Sequence, residues 1–263
     1  MKILINGSSV SSGKPLWSQQ AHYAHTVSQP TWPYRLQEQL NCDMVNLALA
    51  GAGSTYIHES PIAEISQRSY DLVLIMWTEF DRTDHRVTYP GRFSSLQYTS
   101  QAQSKKTHPE LEEDFVLDTE FIQQDWIFSG DLYLTPPDLG PSTGGAPGGP
   151  VRESLDKLFG YKDFLDPNIL LENSLIRIIS LQGVLKSMNI PYKFMYFKQP
   201  VGKHRFANLN KLIDWQNVID EPNLFSLAHK NNWWDHSTGH PTAEAYSAYA
   251  DLLVGHLKDQ KLV

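Results

Sequence analysis

A serine that attacks a carbonyl needs a base within hydrogen-bond reach of its hydroxyl, a group that orients that base, and donors aimed at the developing oxyanion. These parts need not be neighbours in sequence. Ser9 follows the first apolar run, Gly51 lies in a second small-residue turn, and Glu79 follows the most apolar run of the chain. His240 stands in a His-Pro-Thr step just before the last helical segment, with Asp235 and His236 upstream. Each residue also has a plainer use when taken singly. Gly-Ser-Ser is common in strand-to-helix turns, a histidine before a helix serves as a cap or faces solvent, and Glu79 and Arg82 are close enough in sequence to pair with one another. His236 and His240 have the spacing of a metal pair, but no third ligand cluster accompanies them, so neither a metal nor a cofactor is expected.

The elements that would carry these residues follow from hydrophobic patterning. Ile3 to Ile5 reads as a buried parallel strand that stops at Asn6-Gly7, which delivers Ser8 and Ser9 to the carboxyl edge of a sheet, where ligands of open α/β folds bind. Pro33 suits the first turn of a helix that continues through Arg35 to Leu40. Asp43 to Ala48 is a second strand ending in Ala50-Gly51-Ala52-Gly53, and a helix covers about Tyr56 to Gln67. Leu72 to Met76 is continuously apolar, as a doubly covered central strand should be, and it leads into Trp77-Thr78-Glu79-Phe80-Asp81-Arg82.

From about 83 to 165 the alternation of strand and helix lapses into a long irregular insertion. It contains an acidic patch from Glu110 to Asp114 and a Pro/Gly-rich loop, 135–150, which has the character of a lid or a surface loop. Ile169 to Met188 then reads as a helix and Pro191 to Phe197 as a fourth strand. Some helix is expected around Leu209 to Val218, a short fifth strand at Asn223 to Leu227, and a final amphipathic helix after Thr242.

With 263 residues the chain suits one α/β domain, 1–263, with that insertion. A net charge of −7 argues against a nucleic-acid surface, and a small or neutral substrate suits the acidic balance better. The single cysteine, Cys42, rules out an internal disulfide. No segment reaches the roughly 20 apolar residues of a membrane span, and the first residues lack a signal-peptide core, so no membrane partner and a cytoplasmic location are expected. The turn from Gly7 to Gly13 has neither Gly-x-Gly-x-x-Gly nor a Walker pattern, which disfavours a nucleotide binder.

A serine after the first strand together with a His-Pro-Thr entering the last helix resembles the SGNH (GDSL) hydrolase superfamily. Gly7-Ser8-Ser9 stands where that family has Gly-Asp-Ser, so the resemblance puts Ser9 at the nucleophile position without the aspartate before it. Asn46-Leu-Ala-Leu-Ala-Gly51 matches the second block and implies that the Gly51 N–H is an oxyanion donor beside that of Ser9. His240-Pro241 matches the last block. The family's acid lies three residues before its histidine, where this chain has Ser237, while Asp235 lies five before. Either the loop bulges so that Asp235 meets the far nitrogen of His240, or a Ser-His dyad works with a backbone carbonyl or Ser237 orienting the imidazole.

At the third block Glu79 replaces the asparagine whose amide donates to the oxyanion. A carboxylate has no proton to donate, so Arg82 supplies the missing donor or Glu79 is protonated, and Trp77 stands beside them in the same substrate-binding block. The resemblance implies a three-layer α/β/α, flavodoxin-like fold with a parallel sheet of about five strands. It also implies a serine esterase acting on a carbohydrate O-acetyl group or a short acyl ester. The alternative is a catalytically degenerate SGNH-fold protein that binds a glycan or a protein partner. Oligomeric state is not legible in the sequence.

Overall fold

The computed structural model describes residues 1–12, 31–48, 52–78, 80, 82–86, 126–131, 167–197, 207–220, 222–236 and 240–263, the strands at 82–86 and 126–131 by their backbone alone. Its centre is a five-stranded parallel sheet. β1 (Lys2–Asn6) is flanked by β2 (Asp43–Asn46) on one side and by β3 (Leu72–Trp77) on the other. β3 pairs with β6 (Tyr192–Tyr196), and β6 with β7 (Val218–Ile219). The spatial order β2-β1-β3-β6-β7 is the flavodoxin-like winding, whose switch point lies between β1 and β3, so a ligand site is expected beyond the carboxyl ends of those two strands.

Alternation along the strands divides the core in two. Leu4, Val73, Ile75, Trp77, Phe194 and Tyr196 face one layer, where they pack against α2 (Ser54–Ile65) and α3 (Pro167–Ser187). Ile3, Ile5, Leu72, Leu74, Met76 and Met195 face the other, against α1 (Trp32–Leu40), α5 (Leu224–Lys230) and α6 (Ala243–Asp259). All six residues of β3 are buried, which is why its sequence shows no polar alternation. Fully burying each large apolar side chain contributes roughly 1.5–3 kcal/mol. This strand therefore anchors the frame on which the loops at its carboxyl end are held.

The four main apolar strands and the helices between them stand where the patterning puts them, with Pro33 in the first turn of α1. Two elements differ. The fifth strand is Val218–Ile219, and the stretch from Asn223 to Leu227, expected as strand, is instead the N-cap and first residues of helix α5. Asn223 decides that difference: its side-chain oxygen accepts from the Ser226 N–H at 2.8 Å, an N-cap that satisfies a first-turn donor and commits the segment to helix. Between Leu209 and Val218 the only helical pieces are α4 (Ala207–Asn210) and a 3-10 turn, Trp215–Asn217.

The stretch expected to be irregular holds an antiparallel pair, β4 (Arg82–Arg86) with β5 (Trp126–Asp131). The acidic patch and the 135–150 loop lie outside the described residues. No helix among the described residues is long and apolar enough to cross a membrane.

Candidate active site

β1 ends in a turn built for close approach. An added Cβ on Gly7 would stand 2.6 Å from Ser11 Oγ, 2.9 Å from Ser11 Cβ and 3.1 Å from the Met76 carbonyl oxygen, so the turn fits only a residue without a side chain. The Gly7 N–H donates to the Asn6 side-chain oxygen at 2.8 Å. Asn6 Nδ2 in turn donates to Ser60 Oγ at 2.8 Å and to the Ile57 carbonyl at 3.3 Å, which fastens the end of β1 to α2. Ser9–Ser11 then forms one turn of 3-10 helix with Ser9 at its head, where the first N–H has no partner within the turn.

The turn is held from two further sides. Trp32 Nε1 donates to Ser11 Oγ at 3.0 Å. Asn46 Nδ2, from the last residue of β2, donates to the Ser11 carbonyl at 2.7 Å, while its oxygen accepts from the Ala48 N–H at 3.0 Å. Asn46 thus ties the turn after β1 to the turn after β2, and Tyr56 adds a bond from its hydroxyl to the Leu47 carbonyl at 2.8 Å. Patterning singles out none of Asn6, Ser11 or Trp32. The available signal is polar residues ending apolar strands, which would otherwise be costly to bury.

His240 comes to this turn from the far end of the chain. Its Nε2 lies 3.0 Å from Ser9 Oγ, across 231 positions of sequence. It is placed by a short antiparallel ladder, β8 (Trp234–Asp235) with β9 (His240–Pro241), in which Asp235 is directly opposite His240 and Trp234 opposite Pro241. Directly opposed residues share a face of the ladder, with Cβ atoms about 4.5–5.5 Å apart. The Asp235 carboxyl and the His240 imidazole therefore leave the ladder on one side, and Trp234 and Pro241 on the other. Residues 237–239, and with them Ser237, lie outside the described residues, and His236 is exposed.

The remaining expected residues stand as follows. Trp77 ends β3 inside the α2–α3 layer, 2% exposed, its indole edge-on to Phe194 at 5.7 Å and its Nε1 without a hydrogen-bond partner among the described residues. Tyr196, in register with Trp77, has a buried hydroxyl whose pKa is pushed well above the usual phenol range, first by burial and then by Asp220. Gly51 and Glu79 lie outside the described residues, and of Arg82 only the strand backbone is described. Among the described residues no group of three or more His, Cys, Asp or Glu side chains is gathered as metal ligands would be.

A hydroxyl within hydrogen-bond reach of an imidazole, with a carboxyl-bearing residue opposed to that imidazole, is an arrangement that can transfer a proton from Ser9 and return it to a leaving group.

No protein-family model and no curated protein matches the chain. Among solved structures it is similar to the psychrotrophic esterase EstA from Pseudoalteromonas sp., with 12% identity and a TM-score of 0.45 over 98% of this chain and 97% of that one. It is also similar to the acetyl xylan esterase Axe2 from Geobacillus stearothermophilus, with 10% identity and a TM-score of 0.43 over 97% of this chain and 94% of that one. A chain from Parabacteroides merdae assigned as a GDSL-like lipase is 11% identical, with a TM-score of 0.43, over 100% of this chain and 96% of that one.

Proposed function

We propose that this protein is an SGNH-like serine hydrolase that cleaves an ester, with a carbohydrate O-acetyl group or a short acyl ester as the substrate class. The observation that carries the reading is the 3.0 Å contact between His240 Nε2 and Ser9 Oγ at the switch point of the sheet. In the proposed reaction, Ser9 Oγ bonds to the ester carbonyl carbon while its proton passes to His240 Nε2. The carbonyl π electrons move onto oxygen, and the Ser9 N–H donates to that oxyanion, with the Gly51 N–H beside it as the family resemblance implies. Collapse of the tetrahedral species expels the alcohol, which takes the proton from the imidazolium. Water, deprotonated by the same imidazole, then releases the acid and restores the serine.

Asp235 has the orienting role in this scheme. Held on the same face of the ladder, its carboxylate accepts from His240 Nδ1–H, which fixes the tautomer that leaves Nε2 free to accept a proton. Glu79 and Arg82 take the third oxyanion position in this scheme, with the Arg82 guanidinium as donor. Each well-placed oxyanion donor is worth on the order of 3 kcal/mol of barrier.

The experiment is hydrolysis of an ester panel, from p-nitrophenyl acetate to acetylated oligosaccharides, by wild type and Ser9→Ala. Turnover that disappears in Ser9→Ala is the expected result. Turnover that survives in Ser9→Ala, or a folded wild type inert to the whole panel, contradicts the reading.

A further inference from the structure

The ladder that carries Asp235 and His240 is only two residues per strand, too short to hold its own shape. What braces it is aromatic. Trp234 stacks on the His229 imidazole at 4.8 Å and 20°, meets Phe225 edge-on at 5.5 Å, and lies near-parallel to Phe197 at 6.3 Å. Phe225 closes the group, 4.2 Å from His229 and 5.8 Å from Phe197. All of this lies on the face of the ladder opposite the Asp235 and His240 side chains.

Phe197 connects the group to the sheet. It directly follows β6, its N–H donates to the Trp77 carbonyl at 2.9 Å, and its own carbonyl accepts from the Phe225 N–H at 3.3 Å. The Ser9 turn is also referenced to β3, because Gly7 sits against the Met76 carbonyl. Nucleophile and base are thus both positioned from the last two residues of β3, one through Gly7 and the other through Phe197 and Trp234. The ladder is tied at its open end as well, by the Trp233 N–H to the Ala228 carbonyl at 2.8 Å and the Thr242 N–H to the Trp233 carbonyl at 2.9 Å.

We infer that Trp234 is a positioning residue for the Ser9–His240 reaction: its indole, clamped among Phe197, Phe225 and His229, sets the height of the ladder and thereby the alignment of Asp235, His240 and Ser9. This rests on the hydrolase reading for its kinetic part. A flat ring of similar size at 234 preserves the clamp, whereas a small side chain lets the ladder settle toward the core and moves the imidazole away from Ser9. A misplacement of this kind typically costs roughly ten- to a hundredfold in rate.

The test compares Trp234→Phe, Trp234→Ala and Phe225→Leu with wild type by p-nitrophenyl acetate kinetics, thermal unfolding, and the downfield proton resonance of His240 Nδ1–H, which needs no turnover. Expected is a loss of kcat at unchanged KM, together with loss of the Nδ1–H resonance, in folded Trp234→Ala, with both largely restored in Trp234→Phe. Phe225→Leu gives an intermediate loss and serves in place of Trp234→Ala should that variant unfold. Wild-type kcat and resonance in Trp234→Ala, or equal losses in Trp234→Phe and Trp234→Ala, overturn the inference. A wild type inert to the ester overturns the hydrolase reading alone, because the resonance still decides whether Trp234 positions His240.

Discussion

Asp235 and His240 are direct cross-strand partners, so the four residues between them form the connection of a small hairpin and bring the two side chains to the same face. If that opposition orients the imidazole, Asp235→Asn supplies a donor where an acceptor is needed and favours the wrong tautomer. The expected outcome is a fall in kcat of up to about 10⁴-fold with KM little changed. Asp235→Ala is expected to lose somewhat less, since it leaves no competing donor. Steady-state kinetics on a chromogenic ester checks both, and a wild-type kcat in Asp235→Asn would assign the orienting role elsewhere.

Gly7→Ala is expected to damage stability and activity together. The new methyl group meets the Ser11 side chain at 2.6 and 2.9 Å and the Met76 carbonyl oxygen at 3.1 Å, and a backbone oxygen of the central strand cannot move aside cheaply. The cost is about 1–3 kcal/mol, read from urea unfolding, and the turn shifts enough to take Ser9 out of reach of His240.

Trp32 and Asn46 act on the same turn residue from different elements, through the Ser11 hydroxyl and the Ser11 carbonyl. Trp32→Phe keeps the bulk but leaves the buried hydroxyl short of a donor, and Asn46→Ala leaves a buried carbonyl and the Ala48 amide unpaired. Each is expected to cost about 1–3 kcal/mol, and because the two share one turn, the double variant should show a coupling of at least about 0.5 kcal/mol in a denaturation cycle. Strict additivity would mean that the turn is not held as one unit.

His58, on α2, provides a pH dependence separate from the site. Burial, and then the Arg177 charge, hold its pKa below the ordinary imidazole value, and its Nε2 lies 3.0 Å from Ser180 Oγ on α3. In the unfolded chain the imidazole takes up a proton near pH 6.5, whereas the folded chain resists until lower pH. Stability from this group is therefore complete above about pH 6.5 and is lost as pH falls from there through the folded pKa. His58→Gln should flatten urea-unfolding stability between about pH 7 and pH 5 while leaving ester kinetics at neutral pH unchanged. An unaltered slope would contradict this.

Much of the frame was legible because burial on both faces leaves an unmistakable run, as in Leu72 to Met76, and because Asn6-Gly7 ends its strand so abruptly. Ser9 and His240 were legible as a pair of types in the right order. Their contact was to be expected only through the family resemblance, since 231 positions of sequence separate the two residues. The five-residue step from Asp235 to His240 departs from the three-residue spacing of the family that the chain resembles, and the antiparallel register sets the two residues opposite one another in spite of it. Asn223 to Leu227 reads as strand because its apolar residues suit either element in so short a window, and the capping bond that the Asn223 side chain accepts favours the helix. Asn46 and Trp32 were invisible as supports, because nothing local to either residue announces a partner in the turn after β1.

The central claim is that Ser9 is a nucleophile activated by His240, and covalent labelling tests it most directly. The measurement is treatment of the folded protein with a fluorophosphonate, followed by digestion and mass spectrometry to locate the adduct. The expected result is stoichiometric modification on Ser9 in the wild type, none in Ser9→Ala, and severely slowed labelling in His240→Ala. A folded wild type that takes up no label, or that carries it on a residue other than Ser9, contradicts the claim.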